Sequence, residues 1–280
     1  MMTVYTMDAS SLINEMIAEM ESLDNTGMLK QIERWPGKII EARDEGGFSI
    51  LHHAVLGCVQ GKVAALISYV QELQGATDEQ ITWWANSRTN NDSFTPLHLA
   101  SFKGNMDAIL VLLEYGSDPQ ALNAFGLNMI HVAAQGDAAI SLYYFKELGV
   151  DLNLQDQRGS TPLHWACYSN SEIALSYLLA WNPELNIQDQ DGYTPLHLAV
   201  KSCDTVESTR PVRFLLIRGA DKSIQDNSGQ TPIDLVNAGE VATANLASDI
   251  KKMLVSSLLF TDTKENQVTN CFILLLLNAY

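Results

Sequence analysis

Apolar residues recur along the chain in short blocks that are separated by polar turns. One such block at 162–169 predicts a short helix, and residues 171–180 predict a second helix. The apolar positions of the second helix are Ile173, Leu175, Leu178 and Leu179. The polar stretch LNIQDQDG at 185–192 then predicts a hairpin. Such a unit cannot bury its apolar face alone, but stacked copies of it can.

The block returns along the chain under a six-residue motif. Its copies are SILHHA (49–54), TPLHLA (95–100), NMIHVA (128–133), TPLHWA (161–166), TPLHLA (194–199) and TPIDLV (231–236). Four motif histidines are each 33 residues from the next: His98, His131, His164 and His197. The intervals of 46 residues after His52 and 37 residues before Asp234 indicate insertions of 13 and four residues. A fixed period of this length is typical of a repeat architecture.

The motif histidines invite two interpretations, one chemical and one structural. All six histidines of the chain occupy the motif position or, as His53 does, the position beside it. Catalytic or metal-binding histidines would converge on one point, whereas a periodic array spreads them along the fold. We therefore expect a structural role for His98, His131, His164 and His197. In the repeat at 161, the imidazole of His164 is expected to bond the Thr161 hydroxyl and nearby backbone.

Other positions of the repeat carry turn and capping chemistry. Thr161 is suited to the helix N-cap and Pro162 to the first helical position. A glycine two residues before the threonine position predicts a tight turn with positive φ: Gly47, Gly126, Gly159, Gly192 and Gly229. Aspartates five residues before it can cap the hairpin loop: Asp44, Asp156, Asp189 and Asp226. Left-handed helix ends are predicted at Gly116, Gly149, Asn182 and Gly219.

The T-P-L-H-x-A motif on its 33-residue period resembles the ankyrin repeat, over about residues 45–260. The resemblance implies an all-α ankyrin-repeat solenoid of about six repeats plus capping helices. Each repeat would be a helix-turn-helix unit with a β-hairpin finger. The first helices and the fingers would line the concave side.

The chain is accordingly divided into three parts. Residues 1–44 are expected to form an N-terminal helical cap or degenerate repeat, with helices at 9–22 and 26–35. Residues 45–260 hold the repeats and a C-terminal cap, with closing helices at 241–260. Residues 261–280 form a polar linker and an apolar tail. The four extra residues of the repeat at 194 fall within 202–211, where they are expected to lengthen a loop between helices.

The 13-residue insertion carries adjacent tryptophans, Trp83 and Trp84, and extends either the second helix or the finger of its repeat. On an extended finger the two side chains would point in opposite directions. One would be buried and the other exposed, where it could anchor a partner. Trp84 is taken as the candidate anchor.

Charge and cysteine usage narrow the class of protein. The formal net charge of -16 disfavours binding to nucleic acid and to anionic membrane surfaces. Alternatively, the charge serves only to keep the protein soluble. Four cysteines without metal or disulfide spacing fit the reducing cytoplasm. The N-terminus lacks the pattern of a secretory signal. The apolar run at 271–277 is shorter than a membrane span and is either a final packed segment or the start of a membrane helix.

The sequence favours a non-catalytic binding module with no cofactor and no metal. Phosphate-loop, dinucleotide-binding, nucleophile-elbow and H-E-x-x-H patterns do not occur. The positions four and five after each motif histidine are expected to face the concave side and to bind a protein or peptide. With Trp84, the candidates are Phe102, Lys103, Gln135, Tyr168, Ser169 and Lys201. Alternatively, Phe102 and Tyr168 pack under neighbouring fingers. Trp165 is interpreted separately, as an enlarged packing residue that reaches the groove. A monomer is expected.

A narrower resemblance offers an alternative function. The runs NMIHVAAQGD and DLNLQDQRGSTPLHWACY are similar to the N-terminal ankyrin region of Asp-His-His-Cys palmitoyl acyltransferases. This resemblance implies a substrate-recruiting domain on the cytoplasmic face of a membrane, ahead of a catalytic domain. The chain departs from that family at Leu99, where animal members carry a peptide-reading tryptophan, and it has no Asp-His-His-Cys core.

Overall fold

The computed structural model describes residues 9–20, 24–35 and 37–255. Helices make up nearly all of the regular structure in these residues, with one isolated antiparallel bridge between Arg43 and Ser49. The helices are α1 (Ala9–Met20), α2 (Thr26–Arg34), α3 (Ile50–Leu56), α4 (Lys62–Gln74), α5 (Asp78–Ala85), α6 (Pro96–Lys103), α7 (Met106–Glu114), α8 (Met129–Gln135), α9 (Ala139–Glu147), α10 (Pro162–Tyr168), α11 (Glu172–Ala180), α12 (Pro195–Val206), α13 (Arg210–Ile217), α14 (Pro232–Ala238) and α15 (Ala244–Val255).

The chain divides into two compact units after Met129. In unit 1, which ends at Met129, the first helices α3 and α6 pack side by side, and the second helices α4 and α7 form a layer with α2. In unit 2, which begins at Ile130, α10, α12 and α14 form one layer, while α9, α11 and α13 form the other. Each unit therefore has the two stacked helical layers that the repeat predicts.

Short helices such as α10 would be marginal in isolation, and their ends explain how they form here. Thr161 is the N-cap of α10 and makes a capping box with His164, the third helical residue. Pro162 occupies the first turn, where its missing N–H costs nothing. The interior face is then sealed by Leu163, Ala166 and Cys167, each at most 1% exposed. Burial against neighbouring repeats supplies the stability that the isolated helix lacks.

The turn predictions are confirmed. The glycines that precede the threonine position all have φ between +77° and +82°: Gly47, Gly126, Gly159, Gly192 and Gly229. The helix-end residues predicted to be left-handed have positive φ as well: Gly116, Gly149, Asn182 and Gly219. The Asp156 carboxylate caps its finger by accepting the backbone N–H groups of Arg158 and Ser160, both at 2.8 Å. Asp189 and Asp226 make the equivalent bonds.

The insertion at 202–211 does not have the predicted form. These residues extend α12 to Val206 instead of lengthening a loop, and α13 starts at Arg210. The 13-residue insertion forms the separate helix α5, which Thr77 caps. Helices also lie at the predicted N-terminal positions, as α1 and α2. At the C-terminal end, α15 lies within the predicted closing region, whereas residues 256–260 and the apolar tail fall outside the described residues.

Candidate functional site

The ring of His164 is held entirely by the fold. The backbone N–H of Thr161 donates to Nδ1 of His164 at 3.1 Å, and the Thr161 hydroxyl lies 2.8 Å from the same nitrogen. Because a backbone N–H can only donate, Nδ1 is an acceptor and the ring proton sits on Nε2. Nε2 then donates to the backbone carbonyl of Tyr193 at 3.1 Å. Both ring nitrogens are engaged, so neither is free for proton transfer.

The Nε2 contact of this arrangement recurs at the other motif histidines. Each Nε2 reaches the carbonyl of the residue immediately before the next motif. The distances are 3.1 Å for His52 to Phe94, 3.2 Å for His98 to Leu127, 3.2 Å for His131 to Ser160 and 3.2 Å for His197 to Gln230. The bonds predicted for His164 to the threonine hydroxyl and to backbone are present, whereas its link to the following repeat was not predicted. The histidines link successive repeats.

Burial keeps these rings neutral. Removal from water lowers the pKa of His52, His98 and His131 to about 4, although the hydrogen bond to a carbonyl opposes the shift in each case. The pKa values of His164 and His197 are lowered by the same cause. A neutral ring lets Nδ1 accept a hydrogen bond while Nε2 donates the inter-repeat bond.

The last motif replaces histidine with Asp234, which retains only half of the arrangement. Its Oδ2 accepts from the Thr231 backbone N–H at 3.0 Å and from the Thr231 hydroxyl at 2.6 Å. A carboxylate cannot donate onward to another carbonyl. The aspartate therefore closes its own helix N-terminus without a link to a further repeat.

Unit 2 contains a groove of about 330 Å³ between its first helices and fingers. Residues from α10, α12 and two fingers line it: Arg158, Ser160, His164, Trp165, Tyr168, Asp189, Asp191, Tyr193, Leu198 and Lys201. Tyr168 is 64% exposed, which is far more than packing under a finger would allow. Its ring meets Trp165 edge to face, with the centroids 6.2 Å apart. An aromatic surface therefore faces solvent in this groove.

Trp165 combines packing with a hydrogen bond. Its indole Nε1 donates to Oδ2 of Asp156 at 2.9 Å. The bond ties α10 to its own finger and fixes the orientation of the ring, which is half-buried at the groove wall. The expectation that Trp165 packs and also reaches the groove agrees with this placement.

Charged groups frame the aromatic surface. The ammonium of Lys201 lies 5.0 Å from the ring centre of Tyr193 and 3.2 Å from Oε2 of Glu240. Burial disfavours the charge of Lys201, but the hydrogen bond to Glu240 and the electrostatic interactions with Tyr193 and Glu240 together outweigh it, so the pKa of the lysine is raised. On the finger side, Arg158 pairs with Asp191 at 2.9 Å. The groove thus presents both signs of charge beside apolar rings.

The predicted partner-binding residues do not all meet in this groove. Tyr168 and Lys201 line it, whereas Gln135 and Ser169 are half-buried elsewhere in unit 2. Phe102, 37% exposed, and Lys103, also exposed, belong to unit 1. Ser202, five positions after the motif histidine His197, is only 8% exposed, and its hydroxyl donates to the Cys167 carbonyl at 2.9 Å.

The prediction that Trp84 is an exposed anchor for a partner is wrong. It is fully buried, while Trp83 is 56% exposed. The reason is that both lie on α5, where consecutive side chains are about 100° apart around the axis, and the inward direction falls on Trp84. In unit 1, the guanidinium of Arg43 lies 5.3 Å from the ring centre of Trp83. Both residues line a groove of about 900 Å³.

Sequence reasoning missed several residues of the unit 2 groove. Tyr193, Arg158 and Asp189 come from fingers, whereas the predicted positions are counted along the first helix from each histidine. Tyr193 directly precedes the motif threonine, which is the signal that could have placed it beside the preceding repeat. Across the described residues, no group of three histidine, cysteine or acidic side chains could hold a metal ion.

Comparison with protein families agrees with this geometry. Residues 129–226 match a family model described as ankyrin repeats in three copies, and residues 97–145 match one described as ankyrin repeats in many copies. The fold is an ankyrin-repeat solenoid, and repeats of this family generally mediate protein–protein interactions. A comparison with curated proteins found no match. Within the described residues, none of the helices has the length and apolar character needed to cross a membrane.

Proposed function

We propose that this chain is a non-catalytic interaction module that binds a partner protein or peptide in the groove of unit 2. The observation that carries the proposal is the 64% exposure of Tyr168 beside Trp165 in that groove. Exposed aromatic side chains flanked by polar groups are typical anchors for extended peptides. A tyrosine or tryptophan offers much contact area at a small cost in conformational entropy.

The charge of the molecule supports a protein ligand. The net charge of -16 would repel a phosphate backbone, so a basic or neutral partner is favoured over nucleic acid. The described cysteines are free thiols, which fits a reducing compartment, and we place the module in the cytoplasm. We further propose a monomer, which light scattering coupled to size-exclusion chromatography would test by giving the mass of one chain.

The experiment that tests the proposal compares two exposed apolar side chains of unit 2. Proteins that co-purify with the chain from its native cells would be quantified for wild type, Tyr168→Ala and Ile173→Ala. Ile173 is 55% exposed on the second helix α11, away from the groove residues, and serves as the matched control. We expect Tyr168→Ala to lose specific partners while Ile173→Ala retains them and both keep wild-type thermal stability. Equal retention by both variants would contradict the proposal.

Phe102 of unit 1 and Tyr168 of unit 2 are both candidate contacts and can be replaced together. Phe102→Ala in combination with Tyr168→Ala is expected to weaken partner binding further without a large loss of stability. A drop in melting temperature typical of a core truncation, with binding intact, would assign Phe102 and Tyr168 to packing instead.

A second candidate function is recruitment of substrate proteins for a membrane-bound palmitoyl acyltransferase, on the cytoplasmic face of the membrane. Support for it is the sequence resemblance of residues 128–168. The apolar residues 271–277, where a membrane helix would begin, lie outside the described residues. Sequencing the complete transcript tests this candidate. An Asp-His-His-Cys domain downstream of residue 280 would support it, and a stop codon there would contradict it.

A further inference from the structure

The finger aspartates of the repeats use their two carboxylate oxygens differently. In unit 2, Oδ1 of Asp156, Asp189 and Asp226 accepts two backbone N–H groups of the same finger. Oδ2 is therefore left for a side-chain donor. The residue nine positions later, directly after the motif histidine, is the one placed to supply it.

Two repeats fill Oδ2 with a ring N–H. In unit 1, Nε2 of His53 lies 2.9 Å from Oδ2 of Asp44. In unit 2, Nε1 of Trp165 donates to Oδ2 of Asp156 at 2.9 Å. These internal examples show which chemistry the position accepts: a flat group with an N–H directed at the carboxylate.

Two other repeats of unit 2 carry leucine at the donor position, and there no hydrogen bond from the described residues reaches Oδ2. Leu235 stands opposite Asp226, whose Oδ2 is buried without a partner. That position is closed, since Leu235 is 1% exposed and Asp226 is 6% exposed. Leu198 stands opposite Asp189, and no hydrogen bond reaches Oδ2 of Asp189 from the described residues. Here the position is open, because Leu198 and Asp189 both line the groove.

We propose that the Asp189 carboxylate is the anchoring point for an arginine side chain of a bound peptide. This inference rests on the proposed function, because it assigns the partner chemistry to the same groove. The guanidinium is planar, like the rings at His53 and Trp165, and it offers several N–H groups to one carboxylate. The aromatic rings of Trp165 and Tyr168 line the same groove and suit a stacked guanidinium.

The charge balance of the groove favours a cation at this place. Arg158 is paired with Asp191, and Lys201 is paired with Glu240, so the basic side chains of the groove are already engaged. Within the described part of the chain, one carboxylate oxygen of Asp189 has no donor. A peptide arginine would complete the hydrogen bonds of Asp189 in the way that Trp165 completes those of Asp156.

The test uses an immobilised library of random heptapeptides and the full chain. Peptides that bind wild type would be resynthesised with each arginine replaced by citrulline, which has nearly the same shape without the charge. We expect the selected peptides to contain arginine and to lose about tenfold in affinity on replacement by citrulline.

Two variants and one control assign the effect to Asp189. Asp189→Asn removes the charge but keeps the finger turn, because Asn123 accepts the equivalent N–H groups of Phe125 and Leu127, both at 2.9 Å. Leu198→Trp introduces the internal donor that Trp165 provides one repeat earlier. Both variants should lose the preference for arginine over citrulline. Asp226→Asn changes the closed position and should retain it. Thermal unfolding would establish that each variant is folded.

The outcomes separate this inference from the proposed function. Peptides that bind wild type without preferring arginine, or a preference that persists in Asp189→Asn, would overturn the anchoring role while leaving the groove as a peptide site. Failure of wild type to select any peptide more strongly than Tyr168→Ala does would contradict the groove as a peptide site, and the arginine anchor with it.

Discussion

Nε2 of His164 donates a hydrogen bond to the carbonyl of Tyr193, 3.1 Å away and 29 residues later in the chain. The bond joins a helix of one repeat to the finger of the next. The other ring nitrogen of His164 accepts a hydrogen bond at the N-terminus of its own helix. One residue thereby connects local helix formation to the stacking of repeats. The residue type of His164 suggests an active site, but both of its ring nitrogens are hydrogen-bonded to backbone groups.

The first prediction concerns the two halves of this arrangement. His164→Ala removes both and should lower the free energy of unfolding by about 1–3 kcal/mol, because buried backbone groups lose their partners. His164→Asn keeps an acceptor near the Thr161 N–H but is too short to reach Tyr193, so we expect an intermediate loss. Urea unfolding followed by circular dichroism measures both. Unchanged stability in His164→Ala would show that the histidine is not structural.

The second prediction concerns pH. Burial lowers the pKa of His98 from the ordinary 6.5 to about 4. Between these values the unfolded chain takes up a proton that the folded chain does not, so the free energy of unfolding falls as the pH drops from about 6.5 to about 4. In His98→Asn this contribution is absent, and the fall should be shallower by up to about 1.4 kcal/mol per pH unit. Parallel curves for the two proteins would contradict the lowered pKa.

The third prediction concerns the bond between Trp165 and Asp156. Trp165→Phe preserves an aromatic ring but removes the N–H that reaches the carboxylate, and it should destabilise the protein by roughly 1–3 kcal/mol. Trp165→His should recover part of that loss, since His53 makes the equivalent bond to Asp44 at 2.9 Å. Differential scanning calorimetry of the three proteins gives the comparison. Equal melting temperatures for Trp165→Phe and Trp165→His would show that the N–H contributes little.

The fourth prediction compares two glycines of unit 2 that have the same turn geometry. Gly192 has φ +82° and Gly229 has φ +77°. A Cβ at Gly192 would lie 2.5 Å from the backbone nitrogen of Asn227 in the next finger, whereas a Cβ at Gly229 would have no atom of the described residues within 4 Å. Gly229→Ala should cost about 1–2 kcal/mol from the left-handed backbone alone, and Gly192→Ala distinctly more. Similar costs would mean that the fingers are not closely stacked in solution.

The fifth prediction concerns thiol reactivity. Burial raises the pKa of Cys203 to about 12 and also raises that of Cys167, while Cys58 is exposed. A maleimide reagent at neutral pH should therefore label Cys58 in the native protein and reach Cys167 and Cys203 only on unfolding. Peptide mass mapping after a short pulse locates the label. Rapid labelling of Cys167 under native conditions would contradict the packing of α10.

Much of the fold follows from the period, and the exceptions have physical reasons. The positive φ of Gly192 and the capping by Thr161 were predictable because each depends on neighbours within a few residues. The period does not determine the rotation of an inserted helix, so the burial of Trp84 could not be predicted. Tyr193 reaches the groove only after two repeats stack, so its place there could not be predicted from positions counted within one repeat.

The central claim, that the unit 2 groove is the partner-binding surface, is tested most directly by site-specific photocrosslinking. A photoreactive phenylalanine would replace Tyr168 in one protein and Ile173 in another, and both would be irradiated with partner present. We predict crosslinks to the partner from position 168 and none from position 173. Crosslinking that is equal at the two positions, or confined to position 173, would contradict the account.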